Sequence, residues 1–242
     1  MRASFRGEKA GALGYDGSMR VPPRDAKQRK GADVDQAYKD ETCAQFASDL
    51  AAKSSVPGGG AAAAYAGAMG AALAQMVGNF TLGKKKYAEF EDDVERINAR
   101  AASLQERLVE LVDEDAESFR PLAAAYAIPK EDPSREEAIQ LATAKAAECP
   151  MRVMRLCCEA VGLLEELEAK GSRMLMSDVG CGAALCRGAL EAAAMNVYVN
   201  TAALSDRKAA DALDGECAGM LEEYVPRAAA VVDGVMRGTR RG

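Results

Sequence analysis

A chain of 242 residues without a single histidine must do any acid–base work with Asp, Glu, Lys, Tyr, Cys or water. Ser-His-Asp and Cys-His catalysis are excluded, as is any His-ligated metal. Two carboxylates stand out. Asp178 follows Ser177 at the expected start of a helix, where the dipole favours negative charge. Asp115 sits in the acidic run Asp113, Glu114, Asp115, Glu117, and shares a helical face with Leu108, Leu111 and Leu122. It is therefore the inward-facing member of a run that is otherwise solvated. Asn196 and Asn200 fall on the face of Asp178, Gly182, Leu185 and Ala189, where polar groups need partners or a ligand. Asp178 and Asn196 stand about 27 Å apart along one helix axis, so they cannot both touch one small reacting centre within a chain.

Two loops could bind rather than react. Gly58-Gly59-Gly60 lets the backbone approach a ligand closely, with free N–H groups at the following helix start aimed at an anion or carbonyl. Lys84, Lys85, Lys86 and Tyr87 make a local positive patch suited to a carboxylate-bearing substrate. The stretch from Gly78 to Lys85 nearly spells a phosphate-binding P-loop. It lacks the Ser or Thr after the lysine, and a helix precedes it instead of a strand, which argues against nucleotide hydrolysis.

These residues must be positioned by helices. The Ala-rich composition, with aromatics at 5% and no Trp, favours helix because alanine loses no side-chain entropy on ordering. A helix ends at Ser54–Gly60, and a second runs from Ala61 to Val77. Gly78–Tyr87 reads as a loop. A long helix follows from Glu89 to Ala127, with Val94, Ile97, Ala101, Leu104, Leu108, Leu111 and Val112 on one face. Pro121 should kink or break it. Ser134 should cap the next helix, with Glu137 completing a capping box, and that helix should stop before Pro150. Another covers 151–169, closed by Gly171. The last two begin at Ser177-Asp178 and Asp206, the final one passing Pro226. No strand alternation and no repeat is present, so the expected fold is all-α, a bundle of about seven or eight helices.

Net charge of -6 and a pI near 5.0 argue against nucleic acid as a partner. Seven cysteines without metal-type spacing read as reduced, mostly buried thiols of a cytoplasmic protein. The uncharged Gly60–Val77 run is long enough to span a bilayer, but its Ala and Gly transfer poorly into lipid; a buried core helix is expected, and no membrane. Residues 1–35 lack periodicity and are expected to be a disordered tail, with Met19 a possible start, ahead of a domain over 36–242.

The ordered set Val56-Pro57-Gly58-Gly59-Gly60, Gly83-Lys84-Lys85-Lys86-Tyr87, Asp115-Ala116 with Phe119, Ile128-Pro129-Lys130, Cys149-Pro150, Ser177-Asp178-Val179-Gly180 and Asn196-Val197 with Asn200 resembles the C-terminal domain of formiminotransferase-cyclodeaminase and its stand-alone relatives, the methenyltetrahydrofolate cyclohydrolases. The resemblance runs from about residue 40 to 235. It implies a homodimeric folate one-carbon enzyme that makes or opens the 5,10-methenyl bridge of tetrahydrofolate, with no metal or other cofactor. In the deaminase direction it would serve histidine degradation beside a separate formiminotransferase. It further implies Asp178 and Asp115 as catalytic carboxylates beside a cationic amidinium. Gly58, Gly59, Gly60, Lys84, Lys85, Lys86, Tyr87, Ser177, Asn196 and Asn200 would contact the substrate. Ala61 stands where the family leads one to expect Ser, and Ser172 where it leads one to expect Asn. The competing expectation is a non-catalytic folate-binding or scaffold dimer.

Overall fold

The computed structural model describes residues 37–240, so the expectations for residues 1–35 lie outside the described residues. Among the described residues there are six α-helices and no strand: α1 (Cys43–Leu50), α2 (Gly59–Thr81), α3 (Glu91–Ala127), α4 (Arg135–Lys170), α5 (Met176–Ala202) and α6 (Arg207–Thr239). A short 3₁₀ turn at Tyr38–Asp40 precedes α1, and others at Lys85–Phe90 and Arg173–Leu175 lead into α3 and α5. Helices α2, α3, α4 and α5 form a ring in which each packs on the next and α5 closes back on α2, while α6 lies outside across α4 and α5.

The core side chains come from the expected stripe. Val94, Ile97, Ala101, Leu104, Leu108, Leu111 and Val112 are all fully buried. They meet Met151, Met154, Leu164 and Leu167 of α4 and the small residues of α2. Five of the seven cysteines are buried and all are free. Helix α2 is long and apolar enough to cross a membrane by length and composition alone, yet more than half of its apolar window is buried in the bundle.

Neither proline ends its helix. Helix α3 continues through Pro121 to Ala127, and α4 continues through Pro150 to Lys170. A mid-helix proline costs about 3 kcal/mol, and tertiary burial offsets that here. Around Pro150, itself buried, Ala147, Cys149, Met151, Val153 and Met154 are all buried. Beyond Pro121, Leu122 and Ala125 pack on Ile139, Ala142 and Ala146 in a second small core that joins the two helices past the defect. The long helix expected from Glu89 to Ala127 is therefore found unbroken, and the two helices expected on either side of Pro150 are one. The helix start after Ser134 is placed as expected, but the capping box is not made. The Ser134 hydroxyl and N–H both donate to Asp132 Oδ1, at 2.7 and 2.9 Å, so its oxygen makes no cap bond. Asp206 does cap α6, accepting from Ala209 N–H at 3.0 Å.

Gly78–Thr81 also proves helical, and the turn out of α2 is made at Gly83, whose φ of +71° suits glycine. Helices α2 and α5 cross in backbone contact. A Cβ on Gly70 would lie 3.0 Å from the Gly182 carbonyl and 2.4 Å from Cys186 Sγ, and one on Gly182 would lie 3.2 Å from the Gly70 carbonyl. Gly70→Ala is therefore expected to destabilise the fold by about 1–3 kcal/mol through overpacking. The check is a lower urea midpoint at unchanged m-value; an unchanged midpoint would show that the crossing has slack.

Candidate functional site

The candidate residues gather at the two ends of α2, and each gathering has a local cause. At the N-terminus, Gly58 occupies the cap position and has no side chain to satisfy the first N–H groups of the helix. Asp115 reaches across from α3 and supplies the missing acceptor. Its Oδ2 accepts from Ala61 N–H at 2.9 Å. Gly60 is what permits this approach, since a Cβ there would fall 2.1 Å from Asp115 Oδ1. The Asn196 amide lies against Gly59, 3.4 Å from where a Cβ would stand. Asn196 Nδ2 donates to Ala192 O and Asn200 Nδ2 to Asn196 O, at 2.9 and 2.8 Å. Each amide is thus tied to the main-chain carbonyl one turn before it on α5. Upstream, Tyr38 N–H donates to Asp113 Oδ1 at 2.7 Å and the Tyr38 hydroxyl to Val56 O at 3.4 Å, anchoring the segment that leads into the glycines.

Burial pushes the Asp115 carboxyl above the ordinary carboxylate range, and the Ala61 N–H partly opposes this. A carboxyl so placed can hold or release a proton nearer neutrality than a surface one. The thiol beside it is unsuited to nucleophilic work. Burial, then the Asp115 charge, pushes Cys149 up to about 12, and its Sγ donates to Leu111 O at 3.8 Å. Past Cys149, between α3 and α4, a cavity of about 290 Å³ is lined by Glu114, Glu117, Lys145 and Arg152 among others, with Arg152 paired to Glu114 at 2.6 Å.

At the other end of α2, buried Thr81 donates to Val77 O at 2.7 Å and accepts from Ser172 N–H at 2.9 Å. This pins the turn after α2 to the turn after α4. Lys84 Nζ donates to Ser172 Oγ at 3.4 Å, and the Tyr87 hydroxyl accepts from Arg173 N–H at 2.9 Å. That N–H bond is the main reason the Tyr87 phenol lies below its usual range, with Ser172 and the charges of Lys86 and Lys84 adding to it. Lys86 Nζ stands 5.5 Å from the Tyr87 ring centroid, and Lys85 is exposed. Ser177, exposed, and Asp178, half-buried, lie in the first turn of α5, directly after the Arg173–Leu175 turn.

Asp115, Gly59, Gly60 and Asn196 are thus together, and Lys84, Lys86 and Tyr87 are together with the start of α5. The two sets are separated by the length of α2, 23 residues or about 33 Å. Gly58 touches no neighbour through the space a Cβ would occupy. Sequence reasoning singled out neither Thr81 nor Arg173, and it noted Ser172 only as a family departure. The sequence offered only a Thr and a Ser next to two turns, and their burial and mutual bond come from the fold.

The profile of the formiminotransferase-cyclodeaminase family matches residues 42–219. Methenyltetrahydrofolate cyclohydrolase of Methylorubrum extorquens is 39% identical over 187 residues, which is 76% of this chain and 90% of that protein. Formimidoyltransferase-cyclodeaminase of Rattus norvegicus is 27% identical over 91% of this chain, which spans 42% of that longer protein. Among solved structures, the formiminotetrahydrofolate cyclodeaminase of Thermotoga maritima superposes with a TM-score of 0.73 at 30% identity, covering 82% of this chain and 98% of that one.

The Asp115 geometry makes a direct prediction. A carboxyl with a raised native pKa favours the fold most when protonated, below its unfolded value of about 3.9. That contribution is lost as pH rises through the elevated native value. The stability of Asp115→Asn relative to the native chain should therefore improve as the pH rises from about 4 through that elevated value. Urea midpoints at a series of pH values read this difference, and one that stays flat would mean that Asp115 titrates as a surface carboxyl.

Proposed function

Because the chain belongs to the formiminotransferase-cyclodeaminase family, we propose that it opens the 5,10-methenyl bridge of tetrahydrofolate by hydrolysis. The observation that carries the reading is the 39% identity across 90% of a stand-alone cyclohydrolase. In that reaction water adds to the bridge carbon, a proton leaves, and the bond from carbon to N5 breaks to give 10-formyl-tetrahydrofolate. The deaminase direction is the second reading, favoured by the 30% identity to a solved cyclodeaminase. There N10 attacks the carbon of the protonated formimino group, the N10 proton passes to the leaving nitrogen and ammonia departs as the methenyl bridge closes, with the formimino group delivered by a separate formiminotransferase in histidine degradation. Both routes pass through a tetrahedral carbon between two nitrogens, next to a cationic amidinium. Neither route needs a metal or a redox cofactor. Relatives with named activities favour an enzyme over a non-catalytic scaffold.

A carboxylate suits this chemistry because it stabilises the cation and can shuttle a proton. Asp178 and Asp115 are the carboxylates assigned these roles, with the lysines at 84–86 taking the glutamate carboxylates of the substrate. Since the two groups lie at opposite ends of one chain, the site in this reading is completed across a homodimer. A two-fold axis perpendicular to α2 reverses the helix, so the glycine end of one subunit meets the lysine end of its partner. The outer surface of the α2–α5 pair supports such a contact. Helix α2 carries no charged residue, and Met69, Phe80, Met195 and Val199 are exposed. We assign the chain to the cytoplasm, consistent with seven unpaired cysteines.

Near-UV absorbance of 5,10-methenyl-tetrahydrofolate follows the first reading, and ammonia release from 5-formimino-tetrahydrofolate the second. Asp115→Asn and Asp178→Asn are each expected to lower turnover at least about a hundredfold. If both retain the native rate, the carboxylate assignment is wrong. Mixing the two inactive variants in equal amounts should restore roughly a quarter of native activity, because half the dimers are mixed and each holds one intact site. No recovery would place the two carboxylates in unconnected roles.

A further inference from the structure

A cleft of about 440 Å³ opens between the end of α4, the start of α5 and the last turns of α6, within the size range of small-molecule sites. Its walls include Met174, Met176 and Val235, with Glu168, Arg173 and Ser177 as the polar groups. Glu168, half-buried, differs from the three carboxylates that surround it in the last turns of α4, whereas Glu136, Glu137 and Glu148 farther up the helix are exposed to solvent. Glu159 pairs with Arg100, Glu165 with Arg227, and Glu166 with Arg96 and Lys170. Among the described residues the Glu168 carboxylate has neither an ion-pair partner nor a hydrogen-bond donor. The Arg173 guanidinium beside the cleft is engaged elsewhere. Arg173 Nη1 donates to the Glu168 main-chain oxygen at 3.2 Å and contacts Met176 Sδ at 3.9 Å. Helix α6 makes room for the carboxylate with a glycine, because a Cβ on Gly234 would lie 2.2 Å from Glu168 Oε1.

A carboxylate is acceptor-only and prefers two donors held side by side. Thioether walls adapt to a flat ring. A 2-amino-4-oxopyrimidine presents such a donor pair, its 2-amino group and the adjacent N3–H. We infer that this cleft seats the pteridine ring of the folate, with Glu168 accepting from the 2-amino and N3–H donors. The inference rests on the folate reading above and adds to it a specificity-determining residue and the end of the bundle at which the ring binds. Ser177 lines the cleft and Asp178 follows it, so a ring held here brings the bridge carbon, bonded to N5, to the first turn of α5. Arg173 links the cleft to the Tyr87 hydroxyl, so the lysine patch lies beyond the same end for the glutamate tail.

The test uses the intact protein with two fluorescent fragments, 6-methylpterin and 6-methyllumazine, in which an oxo group replaces the 2-amino group; folic acid is titrated in parallel. Pterin is expected to bind about tenfold more tightly than lumazine, the worth of a lost charge-assisted hydrogen bond. Glu168→Gln should abolish that preference and raise KM for the folate substrate about tenfold with little change in kcat. Equal binding of the two fragments to the native chain, or a preference that survives Glu168→Gln, overturns the assignment. Should folic acid bind while neither fragment does, the cleft is not the ring site and the folate reading stands. Should nothing bind and no turnover be seen, the folate reading fails first and takes this inference with it.

Discussion

The fold turns on one constraint, the backbone contact between α2 and its neighbours. Helix α2 has almost no large side chain to bury, so it is held by closeness instead of by bulk. Gly67 lies against Cys157 and Leu108, and Gly70 against Gly182 and Cys186. Dispersion between well-packed atoms falls off steeply with distance, which leaves little tolerance for an added methyl group. The same closeness fixes the position of the α2 ends relative to α3, α4 and α5, and those ends are where the polar chemistry collects.

Each end of a buried helix leaves backbone groups unsatisfied, and the two ends of α2 meet this need differently. The N-terminus borrows a carboxylate from another helix, because Gly58 has no side chain to offer. The result is an acid held by a helix dipole and an N–H bond, yet driven toward neutrality by burial. A structural cap and a proton carrier are therefore compatible descriptions of Asp115. The C-terminus uses hydroxyls. Thr81 and Ser172 tie two turns together and leave Lys84 and Tyr87 fixed above them. With no histidine in the chain, groups perturbed in this way are what remain for acid–base work.

Much of this was legible in the residues. The α3 stripe from Val94 to Val112 marked the core face, and its spacing placed Asp115 inward with Leu108 and Leu111. The 100° step along α5 set Asn196 and Asn200 on the face of Asp178 and fixed their separation from it. The prolines misled, because local propensity carries no knowledge of what is packed around it. Pro150 breaks an isolated helix, but here the buried flanks of α4 hold it in place. Ser134 misled for a related reason: Asp132, two residues earlier, competes for the same hydroxyl. The link from Asp115 to Ala61 N–H spans 54 residues, and the link from Thr81 to Ser172 spans 91. No periodicity reports contacts at such range. The Glu168 cleft was invisible for the same reason, since it needs the end of α6 folded back against α4.

The distance between the two polar ends then bears on how the molecule works. A rigid helix of 23 residues cannot bring its own ends together, and α3 and α5, packed alongside it, cannot bend to do so. A folate is a long ligand with its reactive carbon near the ring and its negative charge at the tail. If ring and tail bind at the lysine end, as the unpaired Glu168 and the cations of that end suggest chemically, then Asp178 acts within the chain. Asp115 must then arrive from a second copy. In the proposed dimer, a two-fold pairing through the uncharged surface of α2 and the exposed Met195 and Val199 of α5 would supply it. The apolar surface, the split polar ends and the unbending helix between them are thus one geometric problem, and the proposed antiparallel association would answer all three.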